Sequence, residues 1–415
     1  MLKALCVDEW AKSRRSGFDS VRDTVNTIIE EVRADGDRAL IEYAQKFDRV
    51  RLDQVRVSDD EIKDAYSQVD PKLIGALTQS EARITRFHEL QSPPGLWLSE
   101  VEPGVTLGVK TTPLARIGCY VPGGRAAYPS TALMTVIPAK VAGVAEVCVT
   151  TPPPVNPLTL VALDIAGADE IYRCGGAQAV AAMALGTESI PPVQKIVGPG
   201  NVYVTAAKMM LREYAEIDFP AGPSEVAIIA DASANPEYIA SDILAQAEHD
   251  PNSACVLITD DKSLVERVSQ KVHELTECAG RREIIEQALE NSGHVLCSSL
   301  SEAAAIANDI APEHLSIMVS DNFSILSQVK NAGSIFVGPL TAVAFGDYAS
   351  GTNHVLPTAG YASIYSGLDV NHFLKRTSVQ ILEREGFDAL SSVAEALARA
   401  EGLSAHADSV RIRRK

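Results

Sequence analysis

Residues 115–151, ARIGCYVPGGRAAYPSTALMTVIPAKVAGVAEVCVTT, decide how the rest of the chain is read. An apolar run, ARIGCYVP, meets a Pro-Gly-Gly turn. An Ala-rich stretch, TALMTVIPAKVAG, then leads to a second apolar run, EVCVTT. Both runs are continuous rather than alternating, which is what strands covered on two faces require. Ser130 or Thr131 stands where a helix cap belongs. Strand, turn, helix and strand make a crossover unit, and that implies parallel sheets with helices on both sides. The same texture continues in EIYRC, KIVGP, EVAIIAD, ACVLITD, HVLCSS, HLSIMV and SIFVGP, and GVTLGVKT precedes it. So many strands exceed one comfortable core, and two α/β domains are expected. The two prolines and the glycine of DFPAGPS, Asp218 to Ser224, mark a crossing between them.

The ends read as helical. Val21 to Phe47 and Leu73 to Leu90 carry apolar residues at helical spacing, and Pro93-Pro94-Gly95 closes that region. After about residue 366 the pattern turns helical again, with Leu390, Val393, Ala394, Leu397 and Ala400 in one stripe and Gly402 as a stop.

With 37 Lys and Arg against 54 Asp and Glu, the net charge of the 415-residue chain is −17. Nucleic acid and anionic membranes both need a positive face, so neither is expected as a partner. The basic cluster Arg411 to Lys415 reads as a solvated tail. No apolar stretch approaches the ~20 residues of a membrane span. The opening MLKALCVDEW has acids where a signal peptide would be apolar. The seven cysteines (Cys6, Cys119, Cys148, Cys174, Cys255, Cys278 and Cys297) include no C-x-x-C pair, and several sit in apolar runs. Reduced, buried thiols of a cytoplasmic chain fit that pattern. A thiolate zinc finger is excluded, so any metal must take nitrogen and oxygen ligands.

Three segments share one design: GCYVPGGRAAYPS (Gly118–Ser130), CGGAQAV (Cys174–Val180) and VGPGNVYVTAAK (Val197–Lys208) each pass from strand through glycine to helix. Such turns let backbone N–H groups approach a phosphate, and in open α/β sheets ligands bind at the carboxyl ends of the strands. Three structural turns remain the other reading. In LAQAEHD, Gln246 and His249 share a helix face, which is a weak metal signature beside the simpler reading of a histidine paired to Glu248 or Asp250. In NDIAPEHLSIMV, Glu313 and His314 enter an apolar strand, where burying an acid and an imidazole is costly unless they are paired or used. AFGDYASGTNHVLPT gathers Asp347, Asn353 and His354 in a loop with little apolar reason to exist. Glu401 and His406, at the end of the tail stripe, read alone as surface residues. His88, His273, His294 and His372 read as structural or exposed.

Seven segments in this order, GCYVPGG, CGGAQA, GPGNVYVTAAK, DFPAGPSEV, LAQAEHD, APEHL and GDYASGTNHVLPT, resemble the histidinol dehydrogenase family, and the resemblance spans essentially the whole chain. It implies oxidation of L-histidinol to L-histidine with two NAD⁺ through an aldehyde that is not released. The positions matching the family's zinc ligands are Gln246, His249, Asp347 and His406, with one zinc per subunit. Glu313 and His314 match its acid–base pair. Substrate contacts would fall on Ser224, Gln246, His249, His314, Asp347, His354, Glu401 and His406. NAD contacts would fall on Tyr120, Gln178 and Asn201. Family members are homodimers with intertwined tails.

The architecture expected is thus two Rossmann-like α/β domains with mainly parallel sheets flanked by helices. The first would hold residues 16–119 with 226–366 and carry the metal and catalytic residues; the second, 120–225, would carry the NAD turns. A helical segment, 1–15, and a helical tail, 367–415, complete the plan. One rival is a sister zinc- and NAD-dependent dehydrogenase acting on another small polar alcohol, such as a sulfonated diol. A sulfonate would call for arginines, whereas Glu401 and His406 suit an amine and an imidazole. A metal-dependent hydrolase using Glu313 to activate water, or a non-catalytic nucleotide binder, would leave part of this pattern unused.

Overall fold

A computed structural model describes residues 2–14, 17–123 and 127–414. Its strands are β1 (Lys3–Ala4), β2 (Leu96–Glu102), β3 (Val105–Pro113), β4 (Arg116–Tyr120), β5 (Glu146–Thr150), β6 (Glu170–Tyr172) and β7 (Lys195–Val197). The second half adds β8 (Glu216–Ile217), β9 (Glu225–Ala230), β10 (Ala254–Thr259), β11 (Gly293–Leu296), β12 (His314–Met318), β13 (Ser334–Val337) and β14 (Leu374–Leu382). Two compact units account for the described chain, residues 1–91 with 115–373 and residues 92–114 with 374–415.

The first unit contains two parallel sheets flanked by helices. The six-stranded sheet runs β1-β11-β10-β9-β12-β13. Its central strands EVAIIA, ACVLIT and HLSIM are buried at every position, as continuous apolar runs require. Helices Pro236–Ala247 and Lys262–Glu277 cover one face, while Leu300–Ile310 and Trp10 cover the other.

The five-stranded sheet runs β6-β5-β4-β7-β8, so the earliest strand lies in the middle and the order reverses between β4 and β7. A doubly wound sheet opens its ligand crevice at that reversal, beyond the carboxyl ends of the strands. Helices Arg22–Asp35, Gly176–Leu185 and Val202–Met210 pack together against Tyr120, Cys148, Tyr172 and Ile196. Helix Pro129–Ala142, in which Thr131 to Ala139 are all buried, packs against Pro157–Ala166 and Pro71–Glu89. Helices Arg22–Asp35 and Pro71–Glu89 therefore belong to the casing of this sheet.

The second unit departs from the sequence reading. Residues 104–111, expected among the parallel strands, form most of β3, the middle of an antiparallel sheet β14-β3-β2. The physical reason is visible in VTLGVK, where Val105, Leu107 and Val109 alternate with Thr106, Gly108 and Lys110. Alternation belongs to a sheet with a wet face. Likewise β14, LKRTSVQIL, interrupts the region expected to be helical, and pairs with β3 from Leu374↔Pro113 to Leu382↔Val105. Helices Arg384–Ala400 and Ser404–Ile412 follow it.

Candidate active site

Helix Leu300–Ile310 ends on Ala311 in the left-handed conformation (φ 48°), and Pro312 prevents its continuation. The chain therefore enters β12 with Glu313 and His314 already inside the protein. Both are buried. Glu313 Oε2 accepts the backbone N–H of Glu225 at 2.8 Å. Desolvation pushes this carboxyl well above the usual carboxylate range; the N–H bond and Arg14 oppose that, while Glu225 and Asp347 reinforce it.

His314 is the unusual group. Both ring nitrogens are buried without a hydrogen-bond partner. Nδ1 stands 3.6 Å from Glu313 Oε2 and Nε2 stands 4.0 Å from Asp347 Oδ1. These distances allow electrostatic contact but are too long for hydrogen bonds. Burial pushes the imidazole down to about 4; Asp347 opposes this, and His249 and His354 add to it. At neutral pH the ring is uncharged, with two nitrogens uncommitted. Unpaired buried polar atoms are costly, and native structures keep them where they are used.

Asp347 sits on the short helix Val343–Tyr348, inside the loop flagged from the sequence. Its Oδ1 is 3.9 Å from His354 Nδ1, and that nitrogen lies 3.0 Å from the Asp347 carbonyl. His354 Nε2 lies 3.4 Å from Thr131 Oγ1, on the helix that follows the first glycine turn. Asn353 locks the loop, donating to the Met134 carbonyl at 2.7 Å and accepting the Val355 N–H at 2.9 Å. Gln246 is buried near the end of helix Pro236–Ala247, and His249 lies just beyond it, exposed.

So Glu313, His314, Asp347, His354 and His249 share one electrostatic neighbourhood. Glu401 and His406 belong to the second unit, where both side chains are exposed. Among the described residues no three His, Cys, Asp or Glu come together as a metal cluster.

The sequence reading did not single out Arg14 or Glu225, and together they hold this region. Buried Arg14 approaches Glu225 Oε2 at 3.3 Å and donates to the carbonyls of Asn252 (2.7 Å), Pro223 (3.1 Å) and Ser224 (3.3 Å). Glu225 Oε1 accepts the Ala359 N–H at 2.9 Å. An acid opening the otherwise apolar run EVAIIA was the available signal. A second missed group is Asp242, one helical turn before Gln246, whose Oδ2 is buried and unpartnered. Burial pushes its carboxyl up to about 6.

The three glycine turns meet at a cavity of about 950 Å³ at the strand-order reversal, lined by Tyr120, Gln178 and Asn201 among others. Parts of the turns are spoken for internally. The Gly176 N–H donates to the Tyr120 hydroxyl at 3.1 Å, and the Gly198 N–H donates to Asp218 Oδ2 at 2.8 Å. Buried Lys208 pairs with Asp218 and donates to the Gly198 carbonyl at 3.0 Å. Gly198 adopts φ 112°, and a Cβ there would lie 2.2 Å from the Tyr120 carbonyl oxygen, so only glycine fits. Asn201 Oδ1 caps the next helix, accepting from the N–H groups of Tyr203 (3.0 Å) and Val204 (3.2 Å). Residues 124–126 of the first turn lie outside the described residues.

The family profile described as histidinol dehydrogenase matches residues 11–414. The chain belongs to the histidinol dehydrogenase family. It is similar to the histidinol dehydrogenase of Methanosarcina barkeri, with 53% identity over 405 residues, covering 97% of this chain and 94% of that protein. Likeness to the Methanothermobacter thermautotrophicus histidinol dehydrogenase is 51% over 412 residues, covering 98% and 96%. The crystal structure of histidinol dehydrogenase from Elizabethkingia anophelis superposes with a TM-score of 0.94 at 38% identity, covering 99% of this chain and 96% of that one. Membership makes the chain an oxidoreductase of mixed α/β architecture.

Arg14→Met leaves Glu225 buried without its cation, and one-sided removal of a buried pair costs about 3–5 kcal/mol. Urea unfolding is expected to show that loss, and adding Glu225→Gln is expected to recover part of it. A double variant no better than Arg14→Met would remove the ion pair from the account.

Proposed function

We propose that this chain oxidises L-histidinol to L-histidine through bound L-histidinaldehyde, using two NAD⁺ in turn, as the last steps of histidine biosynthesis. The observation that carries the reading is His314: a buried, uncharged imidazole, both nitrogens unpartnered, beside Glu313 and Asp347 in a chain of this family.

Gln246, His249, Asp347 and His406 are the residues that would hold one zinc ion per subunit. Their amide, imidazole and carboxylate donors suit zinc, and the unpartnered nitrogens of His314 beside Asp347 mark a place built around something further. His406 belongs to the second unit. A zinc ion held there would supply positive charge for binding and orienting the substrate. Tyr120, Gln178 and Asn201, in the glycine-turn cavity, would hold NAD⁺, which would supply the hydride acceptor.

The chain's own residues do the rest. His314 takes the alcohol proton at Nε2, on the Asp347 side, as hydride leaves the carbinol carbon. No hydrogen bond has to break first, because the ring makes none. In the second oxidation Glu313 takes a proton from the water that attacks the aldehyde. A carboxyl raised by burial is the stronger base for that task, and the Glu225 N–H fixes its Oε2. Four electrons leave the substrate in two hydrides, and water supplies the second carboxylate oxygen. Ser224, His354 and Glu401 would complete the substrate contacts, with Gln246, His249, His314, Asp347 and His406. Glu401 and His406 would come from the partner's tail in a cytoplasmic homodimer. The sister-enzyme reading needs cationic groups for a sulfonate, and no observation in this cluster favours it.

Purified protein given zinc, NAD⁺ and L-histidinol is expected to form two NADH per histidine, read by absorbance and amino-acid analysis. Turnover of a sulfonated diol with none of histidinol would move the assignment to the sister enzyme. Glu313→Gln is expected to slow the aldehyde half-reaction by about 10²–10⁴ while the alcohol half-reaction changes far less. Equal slowing of both halves would reassign Glu313. Mixing inactive His406→Asn chains with inactive His314→Asn chains is expected to restore activity, because one site of each mixed dimer receives an intact tail. No recovery on mixing would show that each tail serves its own subunit.

A further inference from the structure

The cavity at the β4/β7 reversal holds one feature that the proposed reaction leaves unused. Among the described residues that line it, Asp48 is the sole charged side chain. The rest are uncharged, among them Tyr120, Gln178, Asn156, Asn201 and the rings of Phe47 and Tyr203. Dinucleotide-binding sheets ordinarily place an acid soon after the second strand, where it accepts hydrogen bonds from the adenosine ribose hydroxyls. In this sheet the second strand is β5, and Thr151-Pro152-Pro153-Pro154-Val155-Asn156 follows it into the cavity wall. That segment has no carboxylate, and its three prolines have no N–H to offer.

The acid comes instead from the N-terminal casing. Ala44–Asp48 is a π-helical turn that ends on Arg49 in the left-handed conformation (φ 60°). Such wide turns are rare and gather at functional sites. Phe47 and Asp48, adjacent on this turn, both line the cavity. Phe47 stacks on Tyr43 at 5.2 Å between ring centroids and is still 51% exposed. The charged neighbours on the turn, Lys46 and Arg49, do not line the cavity; Lys46 Nζ lies over the rings of Tyr43 and Phe47 at 5.4 and 5.2 Å. Asp48 is half-buried with no ion pair or hydrogen bond to its carboxylate among the described residues. Burial pushes that carboxyl up to about 6 with nothing to offset it, so the group lacks donors.

We infer that Asp48 reads the adenosine ribose of the dinucleotide, accepting hydrogen bonds from its 2′- and 3′-hydroxyls and repelling a 2′-phosphate, and so makes the chain select NAD⁺ over NADP⁺. The inference rests on the proposed NAD⁺ occupancy of this cavity. Both halves of specificity are present in one group: an acceptor pair for the correct ligand, and a like charge against the wrong one. Phe47, on the same turn, offers an apolar ring for the base.

The test is calorimetric titration of zinc-loaded wild type, Asp48→Asn and Asp48→Ala with NAD⁺, with NADP⁺, and with adenosine 2′-monophosphate against adenosine 5′-monophosphate. Wild type is expected to bind NAD⁺ and to discriminate strongly against NADP⁺ and the 2′-phosphorylated fragment. In both variants NAD⁺ is expected to weaken by roughly tenfold, and its preference over NADP⁺ to fall by tenfold or more. Circular dichroism and the unfolding midpoint should stay at wild-type values, since Asp48 makes no bond to lose. If wild type binds NAD⁺ and the variants keep its full discrimination, Asp48 is not the reader and the inference is overturned, with the NAD⁺ assignment intact. Equal binding of NAD⁺ and NADP⁺ by wild type also overturns it. If wild type binds neither dinucleotide, the cofactor reading itself fails.

Discussion

The first unit depends on one buried ion pair. Arg14 and Glu225 lie inside the protein, and a charge taken from water must be repaid by close partners. Arg14 finds them in a carboxylate and three carbonyls from residues 223, 224 and 252. Glu225 in turn holds the Ala359 N–H through its carboxylate and the Glu313 carboxylate through its own N–H. Five separate stretches of chain thus converge on one hydrogen-bonded cluster. The first helix (Val7–Arg14), the crossing segment, the loop before β10, the entry to β12 and the end of the Asp347 loop cannot move independently.

This coupling explains how an acid and an imidazole can be buried side by side with few bonds of their own. Glu313 is fixed by one backbone N–H, and His314, the next residue, needs no hydrogen bond to hold it. Its ring packs at 5.8 Å from Phe336 and sits in strand register, so its nitrogens stay open. The cavity at the strand-order reversal is built on different principles. Glycine at positions that admit no Cβ, a buried Lys208–Asp218 pair and a helix cap shape its wall. The two regions meet where Thr131, just past the first glycine turn, touches His354.

Much of this was legible residue by residue. Continuous apolar runs marked the parallel strands, because a strand covered on both faces has no solvent side to show. The same reasoning failed for GVTLGVKT, whose alternation was the clue to an antiparallel sheet, and for LKRTSVQIL, whose polar positions masked a strand. The Glu313-His314 pair stood out because an acid and an imidazole at the mouth of an apolar strand are costly. Arg14, Asp242 and Asp48 did not stand out: a single charged residue in a helical region looks like any solvated one. Their meaning lies in burial and in neighbours hundreds of positions away, or in a cavity that exists only once the sheet is closed.

By itself, then, the sequence determined the class of fold and the order of the glycine turns, and it marked Glu313 and His314 as costly to bury, since each depends on local pattern or on ordered motifs. Only the tertiary structure decided that Arg14 clamps Glu225, that His314 is left with both nitrogens unpaired, and that Asp48 is the one described charge lining the cavity at the reversal. Those facts turn on which surfaces lose their water. Desolvation is set by distant segments packing together, and no short window of sequence carries it.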